Sequence, residues 1–181
     1  LESRMETIQK RRQLVQNKLN AVTEALEEKV GIRDSLEAKV AKDLEANSQY
    51  TALRQEAQNI TTQVQTAETR HEDAVKEMAD KTPEYRANKL FVYLMGRKFG
   101  MEEYRGNPIT RWLDSMVAQR VDYSPNKKNY DELMQRPGDI QKLISSYKTS
   151  LETTVIAMQE LEREASDKHG LTAAEKECLP N

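Results

Sequence analysis

Apolar residues recur every three, four or seven positions along the first part of the chain. Between Met5 and Asp80 there is no proline and one glycine, Gly31, and good helix formers dominate. The regularly spaced positions are Ile8, Val15, Leu19, Val22 and Leu26, and further on Leu53, Ala57, Ile60, Val64, Ala67, His71, Ala74 and Met78. An alternation of three and four is a heptad repeat, which places one apolar stripe along a helix. The pattern therefore predicts a long coiled-coil helix over residues 5–80.

The stripe is irregular around Gly31. On either side of it the apolar residues step by fours, through Leu26 and Val30 and then Leu36, Val40 and Leu44. Such a stutter locally unwinds a supercoil. Either the helix continues through Gly31, or it breaks there with the glycine at positive φ. We favour a continuous helix, because the residues on both sides are helix-compatible and no second helix breaker accompanies the glycine.

A second repetitive segment follows Pro137-Gly138. Its apolar positions are Ile140, Ile144, Tyr147, Leu151, Val155, Met158, Leu161 and Ala165. This spacing predicts a returning coiled-coil helix over residues 138–169. Gly170 follows it, and a glycine at this position commonly ends a helix. Residues 170–181 are left as a short tail, in which Thr172 and Glu175 have the spacing of a capping box.

Residues 81–137 have a different character. They hold most of the aromatic residues of the chain, namely Tyr85, Phe91, Tyr93, Phe99, Tyr104, Trp112, Tyr123 and Tyr130. Helix signals predict one helix over residues 88–99 that ends at Gly100, a second over 109–121 opened by Asn107-Pro108, and a short third helix up to residue 135. Aromatic side chains bury large areas, so we expect a compact helical module with its own small core.

These segments predict one fold class. The chain is expected to be all-α, with long coiled-coil helices forming an antiparallel hairpin and the small helical module of residues 81–137 inserted at the turn. The returning helix covers less than half of the first one. The same stripe could pack inside a single chain, but the length difference favours pairing between chains, as a homodimer or higher oligomer. The predicted oligomerisation seam comprises Ile8, Val15, Leu19, Val22, Leu26, Leu36, Val40, Leu44, Leu53, Ile60 and Val64.

Composition agrees with helices that show one narrow stripe. Apolar residues make up 37% of the chain and charged residues 32%, against roughly 45–50% and 25% in globular proteins. The single cysteine, Cys178, excludes an intrachain disulfide and favours a cytoplasmic location. No apolar run reaches the roughly 18–20 residues that span a bilayer. Leu1-Glu2-Ser3-Arg4 resembles an expression remnant, so we expect a soluble fragment of a larger or membrane-anchored protein.

The central module also holds the candidate residues for docking a protein partner. They are Arg97, Lys98, Phe99, Tyr104, Arg111 and Trp112. Tryptophan and arginine are enriched at interface hot spots. For Trp112 the alternative is a core position, which we favour from sequence, and Arg111 and Asp114 are spaced to form an ion pair on a solvated helix face.

A nucleic-acid-binding module is the alternative function. Residues 81–137 carry a net charge of +4. The basic residues include Arg105, Arg120, Lys127 and Lys128, interleaved with aromatics as in many nucleic-acid binders. The charge is modest, so a scaffold with a protein partner is favoured.

Catalysis, metal binding and cofactors receive no support from the residues. His71 and His169 are the two histidines, and neither has a second histidine or a cysteine at ligand spacing. His71 lies on the heptad stripe, where we expect a packed histidine. The carboxylates are spread along helix faces. We therefore expect a structural protein with no cofactor, no metal and no enzymatic activity.

Overall fold

The chain is all-α and forms a helical hairpin, as predicted. A computed structural model describes residues 2–173, with side chains from residue 4 onward, and this part contains no strand. Its helices are α1 (Glu2–Ala46), α2 (Ser48–Ala87), α3 (Lys89–Gly96), α4 (Pro108–Arg120) and α5 (Tyr123–His169).

The first helix does not run unbroken from residue 5 to residue 80. It passes through Gly31 without interruption, so the prediction of a continuous helix at that position is confirmed. It stops instead at Asn47, whose Oδ1 accepts hydrogen bonds from the backbone N of Gln49 at 2.9 Å and of Tyr50 at 3.2 Å. An asparagine side chain that satisfies free amides in this way is a helix N-cap. The single long helix was therefore wrong, and α2 begins at Ser48.

Pro83 and Pro137 both lie inside helices, although Pro137 had been expected to precede the start of a helix. α2 continues through Pro83 to Ala87, and α5 begins at Tyr123 and continues through Pro137. The predicted short helix up to residue 135 is thus the first part of α5. Pro137 removes one backbone hydrogen bond, at a cost of about 3 kcal/mol in a helix interior. Its ring is buried on the same side of α5 as the buried Leu133, so packing there offsets the loss.

The described residues divide into two compact units, and α2 and α5 contribute to both. In the unit of residues 59–151, α5 runs antiparallel to α2. Salt bridges join Glu68 to Lys148 at 2.8 Å and Glu77 to Arg136 at 2.7 Å. The buried side chains along this pair include Ile60, Val64, Ala67, Ala74, Leu133 and Ile144. His71 is half-buried on the same face.

Among the described residues, the other unit comprises residues 2–58 and 152–173. Here the Tyr50 hydroxyl donates to Glu162 at 2.6 Å, and Asp43 accepts from Lys168 at 2.7 Å. The hydrogen bond from Lys168 is the main reason why the pKa of Asp43 lies below its usual value. This antiparallel pairing ends at Gly170, which has a φ of +71°.

The predicted tail is tested only in part. The Thr172 hydroxyl donates to Asp167 at 2.9 Å. Glu175, the other member of the predicted capping box, lies outside the described residues, as does Cys178.

One residue of the predicted α5 stripe is misplaced. Val155 is 38% exposed, whereas its neighbour Thr154 is 7% exposed. The other predicted positions of this stripe are buried or half-buried. Steps of three and then four residues lead from Leu151 to Thr154 and on to Met158. Val155 was chosen instead of Thr154 because valine is the more hydrophobic residue. Helix geometry rather than hydrophobicity decides which of the two faces the neighbouring helix.

An aromatic core lies in the predicted module, within the unit of residues 59–151. Phe91, Leu94 and Tyr123 are its buried centre. The side chains packed around them are Tyr85, Met95, Phe99, Val117, Ala118, Val121 and Tyr130. Ring centroids lie 5.5 Å apart for Phe91 and Tyr123, and 5.3 Å apart for Tyr85 and Tyr130, which are favourable aromatic distances.

The short helices around this core keep their predicted starts. Asn88 caps α3 through the backbone N of Phe91 at 3.1 Å, and Asn107 caps α4 through that of Thr110 at 2.8 Å. The predicted end of α3 at residue 99 was too late. The helix ends at Gly96, and Lys98 and Gly100 adopt φ angles of +57° and +80° in the turn that follows.

Candidate docking surfaces

A buried carboxylate organises the central module. Asp114 on α4 is only 2% exposed. Its Oδ1 accepts a hydrogen bond from the Tyr93 hydroxyl at 3.0 Å. Its Oδ2 accepts from the Tyr104 hydroxyl at 2.6 Å and from Arg97 Nε at 2.9 Å. The four residues come from α3, the following loop and α4, so this one carboxylate ties three segments together.

The pKa of Asp114 follows from competition between burial and these donors. Burial by itself raises the pKa of a carboxyl group, because it disfavours the charged form. Hydrogen bonds from Tyr104 and Tyr93 and the positive charge of Arg97 act in the opposite direction and prevail, so the pKa of Asp114 lies below its usual value. The carboxylate is therefore charged at neutral pH, and the same hydrogen bond raises the pKa of the Tyr104 hydroxyl.

Arginine side chains also hold the loop between α3 and α4 to its neighbours. Arg97 Nη2 donates to the backbone oxygen of Arg105 at 3.1 Å, and Arg111 Nε donates to that of Gly106 at 2.9 Å. A Cβ added at Gly106 would lie 3.3 Å from the Tyr104 hydroxyl, closer than ordinary contact. The predicted ion pair between Arg111 and Asp114 is wrong, because Asp114 points inward to Arg97.

The six candidate docking residues separate into two groups. Arg97 and Tyr104 hold Asp114, and the Phe99 ring packs at 5.2 Å from Tyr104 and 5.6 Å from Tyr123. These three support the module from inside. Lys98, Arg111 and Trp112 are exposed, and Trp112 is 62% exposed. The interpretation of Trp112 as a core residue was wrong, because the inward face of α4 is taken by Asp114 and the smaller side chains Val117, Ala118 and Val121.

Trp112 belongs to an apolar stripe that sequence reasoning missed. Ile109, Trp112, Leu113 and Met116 are 49–71% exposed. Their spacing of three, four and seven places them on one side of α4, and we call them the α4 face. The spacing was present in the sequence, but only Trp112 was considered there, and it was assigned to the core.

Positive charge accompanies the α4 face. Arg111 and Arg120 lie on α4 and Arg105 lies in the loop before it. None of the salt bridges within residues 4–173 involves these three arginines, and Arg105 and Arg111 donate to backbone oxygens instead. A backbone carbonyl satisfies a donor without cancelling its charge, so Arg105 and Arg111 remain positively charged beside or on α4.

A second apolar stripe lies on the first half of α1. Every side chain from residue 4 to residue 29 is exposed. Met5, Ile8, Val15, Leu19, Val22 and Leu26 are 54–66% exposed, and we call these six residues the α1 seam. The later members of the predicted seam, Leu36, Val40, Leu44, Leu53, Ile60 and Val64, are buried or half-buried. Packing inside one chain thus accounts for the later part of the predicted seam and leaves the α1 seam uncovered.

Other kinds of site gain no support from residues 4–173. No group of three or more histidine, cysteine, aspartate or glutamate side chains there is arranged to hold a metal ion. None of the helices described has the combination of length and apolar character that crossing a bilayer requires. The chain matches no family model, no curated protein and no solved structure.

Proposed function

We propose that this chain is a structural scaffold protein that self-associates through the α1 seam and docks a protein partner on the α4 face. The assembly is a homodimer or higher oligomer, its role is structural rather than catalytic, and its location is cytoplasmic, in keeping with its single cysteine. The observation that carries the proposal is the α1 seam, six large apolar side chains at heptad spacing with more than half of their surface exposed.

Physical chemistry supports pairing of this segment. An isolated helix gains little stability from helix propensity, and helices in proteins are held mainly by burial of an apolar face. Complete burial of one aliphatic side chain contributes about 1.5–3 kcal/mol relative to leaving it exposed. A second helix laid along the α1 seam would collect part of that gain at each of the six positions. Heptad spacing is the pattern that allows such pairing along the full length of the seam.

Sedimentation equilibrium at tens of micromolar protein tests self-association. We expect a mass above the 20.9 kDa of one chain, and the monomer mass for the double variant Leu19→Glu/Val22→Glu. The matched control is Gln13→Glu/Asn17→Glu, which adds the same charge to α1 away from the seam and should keep the assembly. A monomeric wild type, or a control that dissociates as readily as the seam variant, would contradict the proposal.

Docking on the α4 face is supported by its geometry. A stripe at positions i, i+3, i+4 and i+7 is the pattern by which an amphipathic helix enters an apolar groove, and tryptophan is a frequent anchor at interfaces. The rigid support around Asp114 preorganises this helix, which reduces the entropy lost on binding.

The α1 seam and the α4 face have separate roles in this proposal. Trp112→Ala and Met116→Ala should leave the mass of the assembly unchanged, and a shift to the monomer would show that the α4 face serves self-association instead.

Nucleic-acid binding remains the second candidate, favoured by the exposure of Trp112 on a helix whose Arg111 and Arg120 form no salt bridge within residues 4–173. An exposed aromatic ring with neighbouring arginines can stack on a base and contact phosphates. Titration with a single-stranded oligonucleotide at low and high salt distinguishes the two functions. Phosphate contacts make affinity fall steeply as salt rises, and Trp112 fluorescence would report stacking. Absence of any oligonucleotide binding at low salt would remove this candidate.

A further inference from the structure

The heptad positions of α1 include one basic residue inside the uncovered stripe. With Met5 at the first position of a heptad, the positions that face a partner helix continue as Ile8, Arg12, Val15, Leu19, Val22 and Leu26. Arg12 is exposed, as its apolar neighbours are, and none of the salt bridges between described residues involves it. A partner helix laid along the α1 seam must therefore accommodate the Arg12 guanidinium between apolar layers.

Parallel pairing of two copies places this residue against itself. In a parallel, in-register pair each heptad position faces the same position of the other helix, so Arg12 would face Arg12 of the second copy. Like charges brought together in a partly desolvated layer repel. In an antiparallel pair, the first position (a) of a heptad in one helix faces the fourth position (d) in the other. Arg12 occupies an a position and would therefore lie opposite an apolar residue. Its methylene groups can pack along that residue while the guanidinium reaches water.

Charge along α1 distinguishes the same two arrangements. Residues 4–18 carry a net charge of +4, and residues 19–28 carry −3. Parallel pairing superposes the basic parts on each other and the acidic parts on each other. Antiparallel pairing brings the basic part of each helix level with the acidic part of the other, which matches the signs of charge. These charges are exposed and screened over about 8 Å at physiological salt, so they select an orientation more than they add affinity.

We propose that α1 pairs antiparallel with α1 of a second copy, with Ile8 facing Leu26 and Val15 facing Leu19 across the pair. This register places Arg12 opposite Val22 and Met5 opposite Lys29, so each seam residue from Ile8 to Leu26 lies opposite a heptad position of the same stretch. Shifting the register by one heptad toward the N-terminus brings residues 4–18 level with residues 9–23, which also carry a net charge of +4, and shifting it the other way places Arg12 opposite Lys29. The inference rests on the proposed self-association and adds its orientation and register.

Cysteine cross-linking tests the orientation in the full chain. Ile8→Cys and Leu26→Cys are made separately in a Cys178→Ser background, and each is oxidised alone and after mixing with the other. Antiparallel pairing predicts a disulfide-linked dimer only in the mixture, because the cysteines introduced at positions 8 and 26 then face each other. Two copies of either variant would hold their cysteines about 18 residues apart, or about 27 Å along the axis, beyond the reach of a disulfide.

The outcomes separate this inference from the proposed function. Efficient cross-linking of Leu26→Cys alone and of Ile8→Cys alone would overturn the antiparallel arrangement and leave self-association intact. No cross-link in any sample, with an assembly still present by sedimentation, would overturn the register. A monomeric wild type would overturn the proposed function and this inference with it. Spin labels at Leu26→Cys give a second measurement that needs no covalent bond, with an expected separation of at least about 27 Å instead of the short distance of a parallel pair.

Discussion

Replacing Asp114 with Asn is the most direct test of how the central module is held together. The substitution preserves the size of the side chain and removes its negative charge. Tyr93, Arg97 and Tyr104 would then share one amide oxygen in place of two carboxylate oxygens. The amide NH₂ group adds a donor to a place where all three neighbours are donors.

The hydrogen bonds of Asp114 set upper and lower limits on the loss of unfolding free energy in Asp114→Asn. A hydrogen bond to a charged group contributes about 1.5–3 kcal/mol, and a buried polar group left without its partner costs about 1–3 kcal/mol. Tyr93 is exposed and Arg97 and Tyr104 are half-buried, so all three donors can regain hydrogen bonds to water when the carboxylate is lost. The sum of three full contributions is therefore too large, and we expect Asp114→Asn to lower the free energy of unfolding of the module by about 1–3 kcal/mol.

Urea unfolding followed by the fluorescence of Trp112, the single tryptophan, measures this loss close to the substitution. Asp139→Asn is the control, since Asp139 forms an exposed helix-surface pair with Lys142, a type of interaction that contributes a few tenths of a kcal/mol. Tyr104→Phe, measured alone and combined with Asp114→Asn, completes a double-mutant cycle. The two losses of unfolding free energy should not add up in the double variant, because the two side chains share a hydrogen bond.

The stability that Asp114 contributes should depend on pH in a defined direction. Because the pKa of Asp114 is lowered in the folded state, the carboxylate contributes stability above its unfolded pKa of about 3.9, and that contribution is lost as pH falls through the folded pKa. The difference between wild type and Asp114→Asn should thus be full at neutral pH and should shrink in acid. Equal unfolding midpoints at pH 7, or a difference that persists unchanged at low pH, would refute the role assigned to this carboxylate.

Four further substitutions follow from burial and backbone geometry, each measured by thermal or urea unfolding. Trp112→Ala should change the free energy of unfolding by no more than about 0.5 kcal/mol, the usual range for a surface side chain; a loss of about 3–5 kcal/mol would mark a core residue. Gly31→Ala should stabilise α1 by up to about 1 kcal/mol, since an added Cβ would meet no atom within 4 Å apart from its chain neighbours and the backbone of its own helix; a lower melting temperature would indicate a bend there. Ile144→Ala should cost about 2–5 kcal/mol and Val155→Ala less than about 1 kcal/mol; similar losses would restore Val155 to the buried stripe.

Periodicity predicted most of the helical face that is buried. Ile60, Val64, Ala67 and Ala74 were all placed on the stripe and all are buried, because 3.6 residues per turn determine which side chains share a face. The starts of α3 and α4 were predicted for a related reason. Asn88 and Asn107 act on amides three residues further along the chain, so the whole interaction lies within a short stretch of sequence.

Interactions between distant residues account for most of the failures. Asp114 receives its hydrogen bonds from residues 10 to 21 positions earlier in the chain, and no local pattern distinguishes it from an exposed helix carboxylate. Pro137 was taken as a helix boundary because its local cost is high, yet it lies inside α5 with its ring buried. Asn47 is different, since its cap is local. It was missed because a heptad was assumed to imply one unbroken helix.

The heptads of α1 and α2 also show what periodicity leaves undetermined. The stretch from Ile8 to Leu26 and the stretch from Ile60 to Ala74 have the same spacing, yet the first is exposed and the second is buried. Spacing defines which face of a helix is apolar. Whether another helix of the same chain packs on that face depends on where the other helices end. Cover from the same chain is independent of protein concentration, whereas cover from a second copy follows mass action. Amide hydrogen exchange at two concentrations about a hundredfold apart should therefore slow for residues 4–29 at the higher concentration and stay constant for the α2 and α5 amides of residues 59–151. Unchanged exchange in residues 4–29 would mean that no second copy covers the α1 seam.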